Sequence, residues 1–246
     1  MTNKLKYFVG NWKMFGDFSS FKIINEINNF YSQNKTFINS KIIFCVPNTL
    51  IYFFKQKLKY NSILLGAQNC HHRQHYGPFT GSVNAKMLKK TGADYIILGH
   101  SENRASGESD KLIKMKVESA LKSNLTVILC IGETLLEKNK GKTLSLLKKQ
   151  IRGSINKNKN LSKIILAYEP IWSIGTNKML DPKEIQKIIK YIKSSFLKIF
   201  RTRKEPIVLY GGSVNGKNIE LISPISEIDG FLIGGASQSS KKFIDI

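Results

Sequence analysis

Eight short apolar runs recur along the chain, spaced so that a helix fits between them, and this repetition limits the fold more than any other feature. They occupy residues 6–10, 41–46, 63–67, 95–99, 126–131, 164–168, 207–210 and 230–233, and are mostly β-branched or aromatic. Their apolar character is continuous rather than alternating, which fits strands covered on both faces, as in parallel sheets. Helical stripes lie between them. Residues 18–30 place Phe21, Ile24, Ile27 and Phe30 on one face, and 112–121 and 144–155 are similar. Asp181-Pro182-Lys183-Glu184 reads as a helix start: Asp as N-cap, Pro at the first position, and Glu three after the cap. Strands alternating with helices imply βα units joined by right-handed crossovers. A length of 246 residues suits either a closed eight-stranded barrel or an open doubly wound sheet. No Gly-x-Gly-x-x-Gly follows the first strand, which disfavours the dinucleotide-binding open sheet. With no linker or low-complexity insert, residues 1–246 are expected to form one α/β domain, a (β/α)8 barrel.

Charge excludes less than it suggests. The formal net charge is +22, and of 39 basic residues only Arg73, Arg104, Arg152, Arg201 and Arg203 are arginine. A nucleic-acid binder clusters its basic residues and uses arginine for planar contacts. Here lysines spread over nearly every helical stretch, so a solvated surface is expected rather than a nucleic-acid site, with some attraction for a small anionic substrate. No apolar run approaches a membrane span, and no signal region precedes the first strand, so the expected location is the cytoplasm. Cys45, Cys70 and Cys130 are odd in number, far apart and without metal-ligand spacing, which reads as reduced thiols. His71, His72 and His75 cluster beside Arg73, but no Asp or Glu lies at ligand spacing, so this is read as a polar loop and no metal is expected.

A barrel of this kind carries its site at the C-terminal ends of the strands. Asn11 and Lys13 follow the first run, His100 the fourth, Glu169 the sixth, Gly211-Gly212-Ser213 the seventh and Gly234-Gly235 the eighth. Glu169 suits a general base, all the more if burial brings its pKa toward the working pH. It is followed by Pro170 and a short apolar segment closed by Gly175, which reads as a mobile cover. His100 would sit at the N-terminus of a short helix beginning at Ser101, where the helix dipole disfavours a second proton; a neutral imidazole could polarise a carbonyl. Lys13 offers a fixed positive charge. The glycine turns, with the Ser213 hydroxyl, suggest a phosphate cradle. Another phosphosugar barrel, such as an epimerase or lyase, would share those turns, and a non-catalytic anion-binding protein would share the charge.

Gly10-Asn11-Trp12-Lys13-Met14, Ile97-Leu98-Gly99-His100-Ser101-Glu102, Ala167-Tyr168-Glu169-Pro170-Ile171-Trp172, Ile174-Gly175-Thr176, Tyr210-Gly211-Gly212-Ser213-Val214 and Gly234-Gly235-Ala236-Ser237 occur in that order. Taken together, and with Gly66-Ala67-Gln68-Asn69-Cys70, Phe79-Thr80-Gly81 and Cys130-Ile131-Gly132-Glu133, the chain resembles the triosephosphate isomerase family over its whole length. That resemblance implies a TIM barrel that interconverts dihydroxyacetone phosphate and D-glyceraldehyde 3-phosphate without a cofactor, in glycolysis and gluconeogenesis. It implies Glu169 as the base, neutral His100 as the electrophile, and Lys13 with Asn11 stabilising the enediolate oxygen. The phosphate would rest on Gly175, Ser213, Gly234 and Gly235. It also implies a homodimer in which the loop over residues 70–81 inserts beside Lys13 of the partner. The chain departs from the family pattern at Phe15, Ser82, Asn103 and Asn177, and is one residue shorter between Arg104 and Glu108; these changes touch the dimer contact and the lid rather than the chemistry.

Overall fold

The structure is a computed structural model that describes residues 5–34, 39–58, 63–157, 160–176 and 178–246. Asn177, expected at the far end of the cover, lies outside the described residues. The strands β1 (Lys6–Asn11), β2 (Ser40–Cys45), β3 (Ile63–Ala67), β4 (Tyr95–Leu98), β5 (Thr126–Ile131), β6 (Ile164–Tyr168), β7 (Ile207–Tyr210) and β8 (Gly230–Ile233) follow one another round a closed barrel. Every pairing is parallel, and β1 closes on β8 through Tyr7↔Gly230 to Gly10↔Ile233. The open sheet is thereby ruled out.

The helices are α1 (Phe21–Gln33), α2 (Asn48–Lys57), α3 (Ala85–Lys90), α4 (Ser101–Ala105), α5 (Asp110–Lys122), α6 (Leu135–Asn139), α7 (Thr143–Ser154), α8 (Pro182–Phe200), α9 (Ile219–Ile222) and α10 (Ser240–Ile244). The stripe expected over 18–30 begins as a 3-10 turn, Phe18–Ser20, capped reciprocally by Asp17 and Ser20, before α1 proper. The start of α8 also differs from expectation. The Asp181 side chain accepts from Lys183 N–H at 2.8 Å, but Glu184 does not return a bond to the cap. It pairs instead with Lys138 at 3.2 Å, because a full positive charge attracts the carboxylate more strongly than a neutral N–H.

The continuous apolar runs feed two separate cores. Val9, Cys45, Ile97, Ile128, Cys130, Ile165, Ala167, Leu209 and Leu232 fill the barrel interior. Their neighbours along the strands, such as Val127, Leu129, Leu166 and Val208, pack outward against the helices. Successive strand residues face opposite ways, so a strand buried on both sides has no polar position to alternate with. α8 shows how a helix joins the outer core. Ile185, Ile188, Ile189, Ile192 and Phe196 lie buried along one face, and each contributes roughly 1.5–3 kcal/mol on burial.

Polar clamps fix the strand ends. Arg104 donates through Nε to the Gly99 carbonyl at 2.8 Å, through Nη2 to the Cys130 carbonyl at 3.3 Å, and pairs with Asp110 at 2.6 Å. One guanidinium thus ties the ends of β4 and β5 to the start of α5. Cys45, Cys70 and Cys130 are all free and buried. Burial drives the thiols upward, Cys70 to about 12, so they stay protonated.

Candidate active site

The backbone ladder carries each candidate group to the C-terminal rim. Glu169 N–H donates to the Ile131 carbonyl at 2.8 Å, and Gly211 N–H donates to the Tyr168 carbonyl at 2.8 Å. These bonds extend the β5–β6–β7 pairing by one step and hold Glu169 at the strand end. The site needs two glycines around it. A Cβ on Gly132 would lie 1.8 Å from the Glu169 carbonyl oxygen, and one on Gly211 would lie 2.8 Å from Glu169 Cγ. Any side chain at either position displaces the carboxylate.

Glu169 is buried. Its Oε1 lies 3.3 Å from His100 Nε2, and among the described residues its Oε2 has no hydrogen-bond partner. His100 caps α4, and its Nδ1 accepts from Glu102 N–H at 3.3 Å. Nδ1 is therefore the bare nitrogen of the neutral ring, and Nε2–H is the one that faces Glu169. The expected dipole effect is not dominant. Burial does oppose a charged ring, but the carboxylates of Glu169 and Glu102 outweigh it and raise His100 above the ordinary imidazole value. α4 has only five residues, too short for a strong macrodipole, and two formal charges exceed its partial one.

Lys13 sits at φ +56, a conformation that costs a non-glycine residue free energy and marks a locally over-determined turn. Its N–H donates to Asn11 Oδ1 at 3.1 Å, and Asn11 is buried. Its ammonium reaches Glu102 at 2.5 Å. Burial would raise the Glu102 carboxyl, but the Lys13 hydrogen bond and His100 pull it below its usual range. Glu102, read from sequence only as part of a motif, therefore links Lys13 to His100. A sequence signal existed, since Glu102 lies two residues past His100 at the start of the same turn.

The expected cover folds as a 3-10 turn, Ile171–Ser173, ending at Gly175 with φ +70. Ser173 was not singled out in the sequence. Its Oγ donates to the Lys178 carbonyl at 2.6 Å and accepts from Ser213 N–H at 3.3 Å, so it joins the cover to the turn after β7. At the near hinge, buried Glu133 accepts from Trp172 Nε1 at 3.1 Å and from the Tyr168 hydroxyl at 3.2 Å. Burial nevertheless raises its carboxyl above the ordinary value. Lys138 lies over the Trp172 ring at 4.2 Å. Phe15, a departure from the family pattern, packs edge-to-face on Trp12 at 5.6 Å and so belongs to the outer core.

Asn11, Lys13, His100, Glu169, Gly175, Ser213, Gly234 and Gly235 all line one cavity of about 960 Å³. The structure thus brings together every residue expected at the site. His71, His72 and His75 lie elsewhere; His71 stacks on His72 at 4.4 Å and on Phe79 at 4.5 Å. The arrangement pairs a buried carboxylate with an imidazole N–H and an ammonium, beside the glycine turns after β7 and β8. Such a set has the chemistry to move a proton next to a carbonyl and to stabilise the oxyanion that forms.

Comparisons with known proteins point to one family. The triosephosphate isomerase family model matches residues 6–246. The triosephosphate isomerase of Mycoplasmopsis pulmonis is 39% identical over 243 residues, covering 97% of this chain and 95% of that protein. That of Bartonella tribocorum is 37% identical, covering 98% and 94%. The crystal structure of triosephosphate isomerase from Bartonella henselae superposes with a TM-score of 0.87 at 34% identity, covering 98% of this chain and 96% of that one. The chain belongs to the triosephosphate isomerase family.

Proposed function

We propose that this chain interconverts dihydroxyacetone phosphate and D-glyceraldehyde 3-phosphate by proton transfer through an enediolate, with Glu169 as the base. The convergence of Glu169, His100, Lys13 and Asn11 with the glycine turns on one cavity supports this reading most directly. The substrate phosphate rests on the N–H groups of Gly175, Gly234 and Gly235 and on Ser213, which places the carbonyl end near Glu169 and His100. Glu169 Oε2, free of other hydrogen bonds, takes the proton from the carbon beside the carbonyl and returns it to the neighbouring carbon. The carbonyl oxygen takes the place at His100 Nε2 that the carboxylate holds at 3.3 Å. With Glu169 turned to the substrate and then protonated, its raising influence on the ring falls away, and a neutral Nε2–H polarises the carbonyl. Lys13 and Asn11 stabilise the enediolate oxygen. Closure of the cover excludes water and keeps the intermediate from losing phosphate. No step calls for a metal or organic cofactor.

The same reading makes the enzyme a cytoplasmic homodimer of glycolysis and gluconeogenesis, without a nucleic-acid or membrane partner. Among the described residues no helix is long and apolar enough to cross a membrane. A coupled isomerase assay on glyceraldehyde 3-phosphate, with and without phosphoglycolate as a mimic of the enediolate, tests the reaction. Turnover abolished competitively by phosphoglycolate is expected. Absence of turnover by a folded protein would refute the assignment.

A further inference from the structure

The cavity continues outward past the glycine turns. A volume of about 960 Å³ lies at the upper end of the roughly 300–1,000 Å³ that drug-sized ligands occupy, and a phosphorylated triose is much smaller than such a ligand. The outer wall is formed by Asn215, Lys217 and Asn218 after β7, and by Gln238, Lys242 and Asp245 near the C-terminus. The turn carrying Lys217 is braced. Asn218 Nδ2 donates to the Ser213 carbonyl at 2.5 Å, and Asn218 Oδ1 accepts from Asn215 N–H at 2.9 Å. Asn215 Oδ1 in turn accepts from Lys217 N–H at 2.9 Å. The same turn that bears Ser213 of the phosphate cradle therefore also fixes the backbone of Lys217. Lys242, on α10, lines the same cavity, and its backbone N–H donates to the N-cap hydroxyl of Ser239 at 3.4 Å.

Several other lysines are neutralised by carboxylates, including Lys13 by Glu102, Lys138 by Glu184 and Lys190 by Glu227. Lys217 and Lys242 are not: among the described residues neither has a carboxylate within ion-pair distance, although Asp245 lines the same wall. Two lysines without a carboxylate partner thus line the cavity that also holds the proposed phosphate cradle.

We propose that Lys217 and Lys242 form a second anion subsite, so that the cavity binds small molecules bearing two phosphoryl groups. One group occupies the cradle of Ser213, Gly234 and Gly235, and the other lies between the lysines. The Asp245 carboxylate repels an anion that drifts past them and so sets the outer limit. This rests on the phosphate cradle proposed above. Its consequence is inhibition: a bisphosphate spanning both subsites blocks the cavity without offering a carbonyl to Glu169.

Isothermal titration calorimetry with hexane-1,6-diol bisphosphate and with hexyl phosphate isolates the second phosphate, because the carbon chain is the same. The bisphosphate is expected to bind about five- to tenfold more tightly, the range two solvent-exposed ion pairs provide. Lys217→Ala with Lys242→Ala is expected to remove that advantage, leaving only the statistical benefit of two equivalent ends. Phosphoglycolate affinity and isomerase turnover should stay as in the parent protein. Lys217→Arg with Lys242→Arg should retain the preference, as should Lys148→Ala with Lys187→Ala, which removes the same charge from the outer helices. Equal affinities in the parent protein would overturn the proposal. So would an advantage that survives loss of Lys217 and Lys242, or one that vanishes with Lys148 and Lys187. A protein that shows the lysine-dependent preference but no turnover would refute the isomerase reading and leave the subsite standing. An active enzyme without the preference would refute the subsite alone.

Discussion

At the scale of single residues, the site depends on where the Glu169 carboxylate lies more than on which groups surround it. Glu169→Asp retracts the carboxylate by one methylene, and a displacement of about 1 Å costs on the order of 100-fold in rate. Turnover is expected to fall by at least that factor while phosphoglycolate binding persists; near-normal kcat would exclude Glu169 as the base. Gly211→Ala approaches the same group from outside. Its methyl would lie 2.8 Å from Glu169 Cγ, so kcat should drop roughly 10–100-fold with the far-ultraviolet circular dichroism unchanged. A fully active Gly211→Ala enzyme would mean that the carboxylate tolerates the shift. Charge gives a third test. Since Glu169 helps raise the His100 pKa, Glu169→Gln is expected to move the His100 titration to lower pH, followed by nitrogen-15 NMR of the imidazole. A shift to higher pH, or none, would contradict the apposition of the two side chains.

At the scale of elements, the connections are held by charged groups at strand and helix ends. Glu227, just before β8, accepts from Gln186 on α8 at 2.9 Å and pairs with Lys190 at 3.0 Å. Burial works against the charged form. The bonds from Gln186, Lys190 and Ser226 outweigh it and hold the carboxyl at about 2, against an ordinary 4.5. A carboxyl whose folded pKa lies below its unfolded one stabilises the fold above the unfolded value and loses that contribution as pH falls. The contribution of Glu227 is therefore complete above pH 4.5 and is lost progressively toward pH 2. Urea unfolding at stepped pH should show a shallower acid limb for Glu227→Gln than for the parent protein. An identical limb would show that α8 is not tied to β8 through this carboxylate.

At the scale of the whole molecule, the proposed homodimer bears on the surface around Lys13. Met14 is fully exposed, and a second cavity of about 350 Å³ opens beside it, lined by Lys13, Asn48, Glu102 and Asn103. The loop over residues 70–81 ends in exposed Tyr76 and Phe79. An exposed aromatic loop tip and a separate socket beside Met14 fit the proposal that two copies exchange this loop. Sedimentation velocity is expected to show a dimer, and Tyr76→Glu should shift it toward monomer and lower kcat. A fully active monomer would refute the exchange. Many of the described lysines lie on exposed helix faces, where they keep the surface solvated.

The (β/α)8 architecture was legible in the sequence because each strand is short, apolar on both faces and bounded by turn residues; local pattern alone locates such strands to within a residue. The site residues were legible for a related reason. In this architecture the rim is where strands end, so the positions of Asn11, Lys13, His100, Glu169 and the glycine turns just past their strands are enough to place them together. What pattern could not supply is which groups meet across the rim. Glu102 pairing with Lys13, Ser173 joining the cover to Ser213, and Glu184 turning from its cap to Lys138 each depend on residues 40 or more positions apart. The same holds for the state of His100. Sequence offered only a short helix dipole, and closure of the barrel set two carboxylates against the ring. A local pattern specifies direction and periodicity along the chain, whereas electrostatic balance depends on distances between segments, which exist only once the barrel has closed.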